Sequence, residues 1–197
     1  MIGGGICKYA AGNQLKAAVK FLHRHHGHIA FVTIDIGANY IDSCVGSTGV
    51  DLACVIEGEK SIHKNLPKIA AALRKAAGAK VPIVGMTYYD PSLADWFNGT
   101  GSQSLAAGSQ LLVRKLNAEI ESAYKSSHVE VANVAEAFHT YAPFSKTEAF
   151  HGQQVPVAVV EVCKLTWMCA PSPVGPNIHA DAKGYRVIAQ AIEKKRL

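Results

Sequence analysis

The sequence predicts an α/β domain built on a parallel sheet, and three observations lead to that prediction. The chain has 197 residues, of which 49% are hydrophobic and 18% charged; this composition suits one domain with a buried core and excludes a disordered chain. Helical and strand-like apolar patterns alternate along it, as they do in parallel sheets with right-handed crossover helices. No repeat or linker interrupts the alternation, so residues 1–197 are expected to form a single domain.

The first elements are a helix, a strand and a loop. Apolar side chains recur on one face of residues 13–25, which predicts a helix. Residues 29–36 are nearly all apolar and β-branched, a pattern typical of a strand buried on both faces. Several glycines fall within residues 37–58, so a loop is expected there.

The middle of the chain continues with a helix and a strand. A helix is predicted over residues 65–77, with Asn65 as a plausible N-cap and Pro67 in its first turn. The apolar run at residues 82–88 predicts the next strand. Residues 90–103 are expected to form a loop.

The last part of the chain begins with the most regular helical pattern, at residues 104–125. Alternating valines predict a strand at residues 128–134. Residues 155–162 fit a strand or a buried helix equally well, because periodicity does not separate the two for a short apolar run. A C-terminal helix is predicted over residues 181–194, with these side chains facing inward: Tyr185, Ile188, Ala191 and Ile192.

Charge and hydropathy exclude several classes of protein. The net charge is +5, and the basic tail at residues 194–196 is typical of a solvated helix end; with no nucleic-acid-binding motif beside it, no nucleic-acid partner is expected. No apolar run approaches the 18 residues of a transmembrane helix. The residues after Met1 do not form a basic segment followed by a long apolar run, so no signal peptide is expected.

Two further motifs predict neither a metal nor a cofactor. The histidine-rich segment at residues 23–28 lies at a predicted helix C-terminus, where cations complement the helix dipole without any metal. The glycines at residues 3–5 lack the preceding strand and the following Lys-Ser/Thr of a phosphate loop. No cofactor is therefore expected.

Five cysteines point to an oxidising compartment. Their spacing suggests two local bridges, Cys44–Cys54 and Cys163–Cys169, with Cys7 left over; buried free thiols are the alternative. An odd cysteine and the absence of a signal peptide together suggest that the start of a longer secreted protein is missing.

Polar residues follow the predicted strands where ligands bind in open α/β sheets. Asn39, after the first strand, has the chemistry of an oxyanion donor, and the neighbouring Gly37 lets a substrate approach the backbone. His179, just before the last helix, has the chemistry of a general base. A local turn residue and a surface histidine, respectively, are the simpler interpretations of Asn39 and His179.

Four segments together resemble the SGNH, or GDSL-type, hydrolases, and most closely their secreted actinobacterial esterases and lipases. The resemblance covers nearly the whole chain and lies in "VTIDIGANYIDSC", "VGMTYYDP", "CKLTWMC" and "GPNIHADAKGYRVIAQAI". It implies a three-layer α/β/α, flavodoxin-like fold, extracellular location and hydrolysis of small esters or lipids. It also implies that His179 is the catalytic base, Asn39 the oxyanion asparagine and Gly37 its block glycine. Disulfides are common in this branch.

The sequence departs from the family pattern in ways that bear on activity. No Gly-Asp-Ser occurs, so the chain resembles an N-terminally truncated member that lacks the usual nucleophile block. Pro176 stands where the family places an acidic residue, and the neighbouring Asn177 is the candidate that orients His179. Tyr40 replaces an aspartate that often follows the oxyanion asparagine.

Another residue must then act as nucleophile if the chain is an enzyme. Ser172, seven residues before His179, and Ser43 and Ser47, after Asn39, lie in predicted active-face loops. Cys7 is a further candidate, because a thiol ionises more readily than a hydroxyl.

Two functions follow from these residues. The first is a carboxyl ester hydrolase that acts through an acyl-enzyme; the second is a non-catalytic SGNH-like remnant that binds an ester, lipid or carbohydrate without turnover. Missing elements next to residues 29–36 would leave an open sheet edge, which invites pairing between chains. A two-fold dimer burying Ala30 to Ile36 is therefore expected, unless residues 155–162 fold back over that edge.

Overall fold

The structure is a computed structural model that describes residues 8–46 and 49–196. These residues fall into two compact units. The first contains those up to Met86, together with Ala118–Val131 and those from Lys195 onward; the second contains Thr87–Asn117 and Ala132–Lys194. The single domain over residues 1–197 stays a prediction.

Helices and short strands alternate through the described part of the chain, which confirms a mixed α/β class. The α-helices are α1 (Gln14–Arg24), α2 (Leu52–Ala77), α3 (Thr100–Lys125), α4 (Val134–Ala137), α5 (Val157–Leu165) and α6 (Ala182–Arg196). The strands are β1 (Val32–Ile34), β2 (Val45–Gly46), β3 (Gly49–Val50), β4 (Ile83–Met86), β5 (Glu130–Ala132), β6 (Thr147–Phe150) and β7 (Gln153–Pro156). No helix within residues 8–46 and 49–196 has the length and apolar character needed to cross a bilayer.

A small parallel sheet organises these elements, in the strand order β1-β4-β5. Val32 of β1 lies opposite Ile83 of β4, and Ile34 lies opposite Gly85. Strand β4 is buried along its whole length. The parallel sheet expected from the alternating pattern is thus present, with short strands.

Strand β1 is shorter and more exposed than the sequence predicts. It covers Val32–Ile34 rather than residues 29–36, and of its three residues only Ile34 is buried. Phe31, immediately before it, is 40% exposed. The prediction of burial on both faces is wrong, because β1 lies at the edge of the sheet that the described residues form.

Helix α1 matches the sequence prediction closely. Asn13 caps it by accepting a hydrogen bond from the Lys16 N–H at 2.8 Å, which satisfies one of the free donors at the helix start. Leu22 is buried, and the chain leaves the helix at His25.

Helix α2 is twice as long as predicted. It begins at Leu52, where the Asp51 side chain accepts from the Cys54 N–H at 3.1 Å, and Pro67 lies inside it rather than in its first turn. The prediction of a loop over residues 37–58 is therefore wrong for residues 52–58. Gly58 lies inside this helix. A glycine is needed there, because a Cβ would lie 2.5 Å from the Tyr40 carbonyl oxygen.

The second unit has a core that contains the ambiguous apolar run. Residues 155–162 divide between the end of β7 and the start of α5, so the run is partly strand and partly helix. Pro91–Asn98 forms a 3-10 helix where the sequence predicts a loop, and α3 begins at Thr100 rather than residue 104. Side chains of the 3-10 helix, β7 and α5 pack together in this core: Leu93, Ala94, Val155, Ala158, Val159, Val160 and Val162.

Helix α6 has the predicted position but a different inward face. Tyr185 is 57% exposed, so its predicted burial is wrong, whereas Ile188, Ala191 and Ile192 are half-buried. The inward position next to Tyr185 is taken by Gly184. Because Gly184 has no side chain, α6 approaches the Leu165 carbonyl so closely that a Cβ would overlap it.

Both predicted cysteine pairs are present as disulfides. Cys44 and Cys54 have their Cα atoms 5.5 Å apart, and Cys163 and Cys169 have theirs 5.0 Å apart. Each bridge lies within one unit. Cys7, the predicted leftover thiol, lies outside the described residues.

Candidate functional site

The loop that follows β4 is fixed in the second unit by a buried amide. Asn117, on α3, is 2% exposed. Its Oδ1 accepts from the Tyr88 N–H at 2.7 Å, and its Nδ2 donates to the Tyr88 carbonyl at 2.8 Å and to the Tyr141 hydroxyl at 2.7 Å. Both backbone groups of Tyr88 are thereby satisfied, so this loop has one defined path.

Tyr89 extends from that loop to the segment that carries His179. Its ring stacks on Phe138, with centroids 4.4 Å apart and planes 7° from parallel. Its hydroxyl donates to the Ile178 carbonyl at 2.7 Å. Tyr89 therefore holds the peptide that immediately precedes His179.

Backbone hydrogen bonds hold the same segment from the other side. The Trp167 N–H donates to the His179 carbonyl at 3.0 Å, and the Asn177 N–H donates to the Trp167 carbonyl at 3.2 Å. Thr166 and Ala180 form an antiparallel bridge. The backbone around His179 is thus ordered although the side chain itself is exposed.

The Asn177 side chain fixes the tautomer of His179. Its Oδ1 accepts from the His179 backbone N–H at 3.0 Å and lies 2.7 Å from His179 Nδ1. A backbone N–H only donates, so the atom facing it must be the amide oxygen. Nδ1 then carries the proton in the neutral ring, and Nε2 is left as the proton acceptor.

Exposed apolar side chains surround this histidine along the chain. Trp167 and Ile178 are each 40% exposed, Val174 is 50% exposed and Tyr185 is 57% exposed. Trp167 is joined to His179 through the backbone hydrogen bond described above.

Among the predicted nucleophiles, Ser172 lies in the same unit as His179. It is exposed and belongs to the loop that starts at Pro171. The Pro171 carbonyl accepts from the Val174 and Gly175 N–H groups, each at 3.1 Å. Gly175 is required there, because a Cβ would lie 2.5 Å from the Trp167 carbonyl oxygen.

The predicted oxyanion residues belong to the first unit. Gly37 is buried with φ of 139°, a conformation that favours glycine, and its carbonyl accepts from the Tyr40 N–H at 3.2 Å. Asn39 is exposed in the 3-10 turn Ala38–Tyr40. Ser43 is exposed in the next turn, Asp42–Cys44, whereas Ser47 lies outside the described residues.

No trio of His, Cys, Asp or Glu side chains is arranged to hold a metal ion within the part of the chain that the structure describes. That part includes the histidine-rich residues 23–28, in which His25 instead contacts the Phe21 ring with centroids 4.3 Å apart.

Sequence reasoning identified His179 and Asn177, and it placed Tyr89 in the segment "VGMTYYDP" without a role, but it missed Asn117. For Asn117 a signal exists, since it is a polar residue at helical spacing with the buried Ile120 and Tyr124 of α3. For Tyr89 the sequence indicates the segment but not the contact, because its partner is 89 residues away.

No protein-family model, curated protein or solved structure gives a significant match to this chain.

Proposed function

We propose that the chain is an SGNH-type carboxyl ester hydrolase with His179 as its general base. The supporting observation is the 2.7 Å contact between Asn177 Oδ1 and His179 Nδ1. It orients the ring and leaves Nε2 as the acceptor, as a base requires. The proposal includes the three-layer α/β/α fold and the extracellular location that the resemblance implies, with which the two disulfides agree.

The chemistry would follow the usual acyl-transfer order. His179 Nε2 takes the proton of a hydroxyl nucleophile, whose oxygen attacks the ester carbonyl. The resulting imidazolium gives its proton to the departing alcohol, and an acyl-enzyme remains. Water, deprotonated by the same Nε2, then releases the acid and frees the nucleophile.

The remaining roles are assigned by the resemblance. Asn39 would donate its side-chain N–H to the developing oxyanion, with Gly37 leaving room for the substrate. Ser172 is the first choice of nucleophile, because it lies in the same unit and the same chain segment as His179. Ser43, Ser47 and Cys7 are the other choices.

We infer the substrate class from the exposed residues of the chain segments next to His179. Trp167, Val174 and Ile178 present apolar area, with no charged side chain between Pro171 and His179. Esters of short to medium apolar acids therefore suit the site better than charged esters.

Turnover of p-nitrophenyl acetate and butyrate tests the proposal. His179→Ala is expected to abolish the enzymatic rate, whereas the matched control His28→Ala, which removes an exposed histidine of the first unit, leaves it unchanged. The difference between wild type and His28→Ala gives the contribution of one ordinary surface imidazole to the background rate. Equal rates for wild type and His179→Ala would refute the proposal.

Two further measurements test the other roles. A serine-directed fluorophosphonate followed by peptide mapping is expected to label Ser172 in wild type and to label nothing in Ser172→Ala. Asn39→Ala is expected to lower kcat by roughly 10²–10³, the usual loss for one oxyanion donor, with an unchanged unfolding midpoint. An unchanged kcat would remove Asn39 from the site.

A second function, binding without turnover, is favoured by one observation. The sequence has no Gly-Asp-Ser, and removal of a nucleophile leaves only the small contribution of binding and oxyanion stabilisation. On this alternative, butyrate esters bind to the protein with saturation, His179→Ala binds them equally well, and neither protein hydrolyses them.

A further inference from the structure

The cations of the chain are unevenly distributed. Residues 8–34 and 60–86, which all belong to the first unit, contain ten of the 20 Lys and Arg residues and none of the 15 Asp and Glu residues. The rest of the chain therefore has a net negative formal charge. Two of these ten cations have partners in the structure: Lys60 pairs with Glu57 at 2.6 Å, and Arg74 donates to three backbone carbonyls. The other eight are Lys8, Lys16, Lys20, Arg24, Lys64, Lys68, Lys75 and Lys80.

Helix α1 combines this charge with an exposed aromatic ring. Phe21 is 56% exposed, although α1 is capped and packed like an ordinary amphipathic helix. Lys20 and Arg24 are exposed on either side of it in sequence. At 100° per residue, Arg24 lies about 60° around the helix from Phe21, on the same exposed side.

An apolar groove opens next to Phe21. Its volume is about 250 Å³, and it lies wholly within the first unit. Phe31, which is 40% exposed, forms part of it. The lining residues are Ala18, Phe21, Leu22, Ile29, Phe31, Val32 and Leu73.

We propose that this face of the first unit, made of α1, Phe31 and the groove between them, docks on an anionic lipid bilayer. An amphipathic helix with Lys and Arg beside exposed Phe is the usual composition of interfacial helices. Each Lys or Arg near an anionic surface adds attraction, and salt weakens that attraction. The proposal is independent of ester hydrolysis.

The groove is what favours lipid over nucleic acid as the occupant. Both partners are anionic, and both accept aromatic side chains. Nucleic-acid grooves, however, place cations and stacking rings along a polar track, whereas every residue that lines this groove is aliphatic or aromatic. Such a lining suits acyl chains at the level of the lipid headgroups.

Vesicle co-sedimentation of the full chain tests the proposal. Wild type is expected to bind vesicles of 70% phosphatidylcholine and 30% phosphatidylglycerol at least tenfold more tightly than vesicles of phosphatidylcholine alone. Binding to the anionic vesicles is expected to weaken at least tenfold between 50 and 500 mM NaCl. Equal binding to both vesicles, or none to either, would overturn the proposal without any variant.

Variants then separate the apolar and the electrostatic contributions. Phe21→Gln keeps the helix and is expected to weaken anionic-vesicle binding about fivefold or more; its control is Leu111→Gln, at a leucine of α3 that is 68% exposed. Lys20→Glu/Arg24→Glu is expected to weaken it tenfold or more. Its charge-matched control is Lys146→Glu/Lys183→Glu, at two exposed lysines of the second unit.

Other occupants of this face give different results. If single-stranded RNA binds more tightly than the vesicles and Phe21→Gln leaves vesicle binding unchanged, the surface is a nucleic-acid site and the proposal is wrong. If Phe21→Gln changes the mass measured by light scattering but not vesicle binding, the face joins two copies of the chain and the proposal is equally wrong. Equal losses in the variants and their matched controls would also contradict it.

Discussion

The side-chain oxygen of Asn177 contacts both the ring and the backbone of His179. It lies 2.7 Å from Nδ1 and accepts the His179 N–H at 3.0 Å. The backbone contact decides which end of the amide faces the ring, so the neutral tautomer is the one that a base needs. What Asn177 does not supply is a negative charge to stabilise the imidazolium that forms when Nε2 takes a proton.

This relationship predicts that Asn177→Asp makes the protein a faster esterase. The carboxylate keeps both hydrogen bonds and adds an opposite charge next to the ring, which favours the protonated imidazole. We expect kcat for p-nitrophenyl butyrate to rise about tenfold or more and the pH–rate profile to shift to higher pH. Steady-state kinetics between pH 5 and 9 measure both changes.

The control for this prediction is Asn177→Ala, which removes the acceptor and frees the ring. It is expected to lower kcat and to leave the unfolding midpoint nearly unchanged, because Asn177 is exposed. If Asn177→Asp and Asn177→Ala change the rate in the same direction, Asn177 does not orient a base.

A second prediction concerns the stability of the second unit at different pH values. Asp90 is 1% exposed, and its burial raises the pKa of that carboxyl from 3.8 to about 7. Ser109 Oγ lies 2.7 Å from Asp90 Oδ2 and 2.8 Å from the Ala106 carbonyl. One hydroxyl has one hydrogen, so a protonated Asp90 that donates to Ser109 satisfies both contacts.

The sign of the pH effect follows from this raised pKa. Between about pH 4 and pH 7 the folded state binds a proton that the unfolded chain has lost, so the free energy of unfolding falls as pH rises through that window. The loss is about 4 kcal/mol in total, since one pKa unit corresponds to about 1.4 kcal/mol. Above about pH 8 this contribution no longer changes.

Asp90→Asn is expected to remove this slope. The amide still accepts from the Ser92 N–H, which Asp90 Oδ1 does now at 3.0 Å, and its NH₂ donates to Ser109. Urea unfolding at pH 5, 6, 7 and 8 should therefore show the variant gaining stability over wild type as pH increases. Parallel stability curves for the two proteins would show that Asp90 is already ionised in the folded state.

A third prediction concerns the disulfides. The loops closed by Cys44–Cys54 and Cys163–Cys169 are short, so each bridge is expected to contribute on the order of 2–3 kcal/mol. Cys163→Ser/Cys169→Ser should lower the free energy of unfolding by about that amount, and Cys44→Ser/Cys54→Ser likewise. Non-reducing peptide mapping of wild type measures the pairing itself, and alkylation of all four cysteines without reduction would contradict it.

The sequence predicted the elements whose signal is local. Helices α1, α3 and α6 follow from apolar spacing, and the disulfides follow from short separations. The start of α2 was missed because Gly58 resembles a loop glycine, whereas it is there to let Tyr40 approach the helix. Sequence alone does not distinguish these two uses of glycine.

In the candidate site, too, the sequence predicts local contacts and not long-range ones. Asn177 and His179 are two residues apart, so one short sequence motif contains both partners of the contact. Asn117 acts on Tyr88 from 29 residues away, and Tyr89 acts on Ile178 from 89 residues away. Only the packing of α3 and of the His179 segment brings those partners together, and no spacing rule contains that information.

The last prediction is a two-fold dimer through the main-chain edge of β1, a contact that does not require the Phe21 side chain of the proposed lipid-docking face. Residues 155–162, the alternative cover for that edge, form the end of β7 and the start of α5. The Val32 N–H donates to the Pro82 carbonyl at 2.9 Å, so by strand alternation the Thr33 N–H lies on the opposite side of β1, away from β4. Thr33→Pro removes that donor while leaving the β1–β4 pairing intact.

Light scattering at low micromolar concentration measures the mass of the particle in solution. Wild type is expected near twice the 21.0 kDa chain mass, Thr33→Pro near the chain mass, and Thr33→Ser, which keeps the N–H, at the wild-type value. Circular dichroism shows whether Thr33→Pro retains its helices. A monodisperse wild-type monomer whose amides at residues 29–36 exchange slowly would mean that the edge is covered within one chain, and that no dimer forms through it.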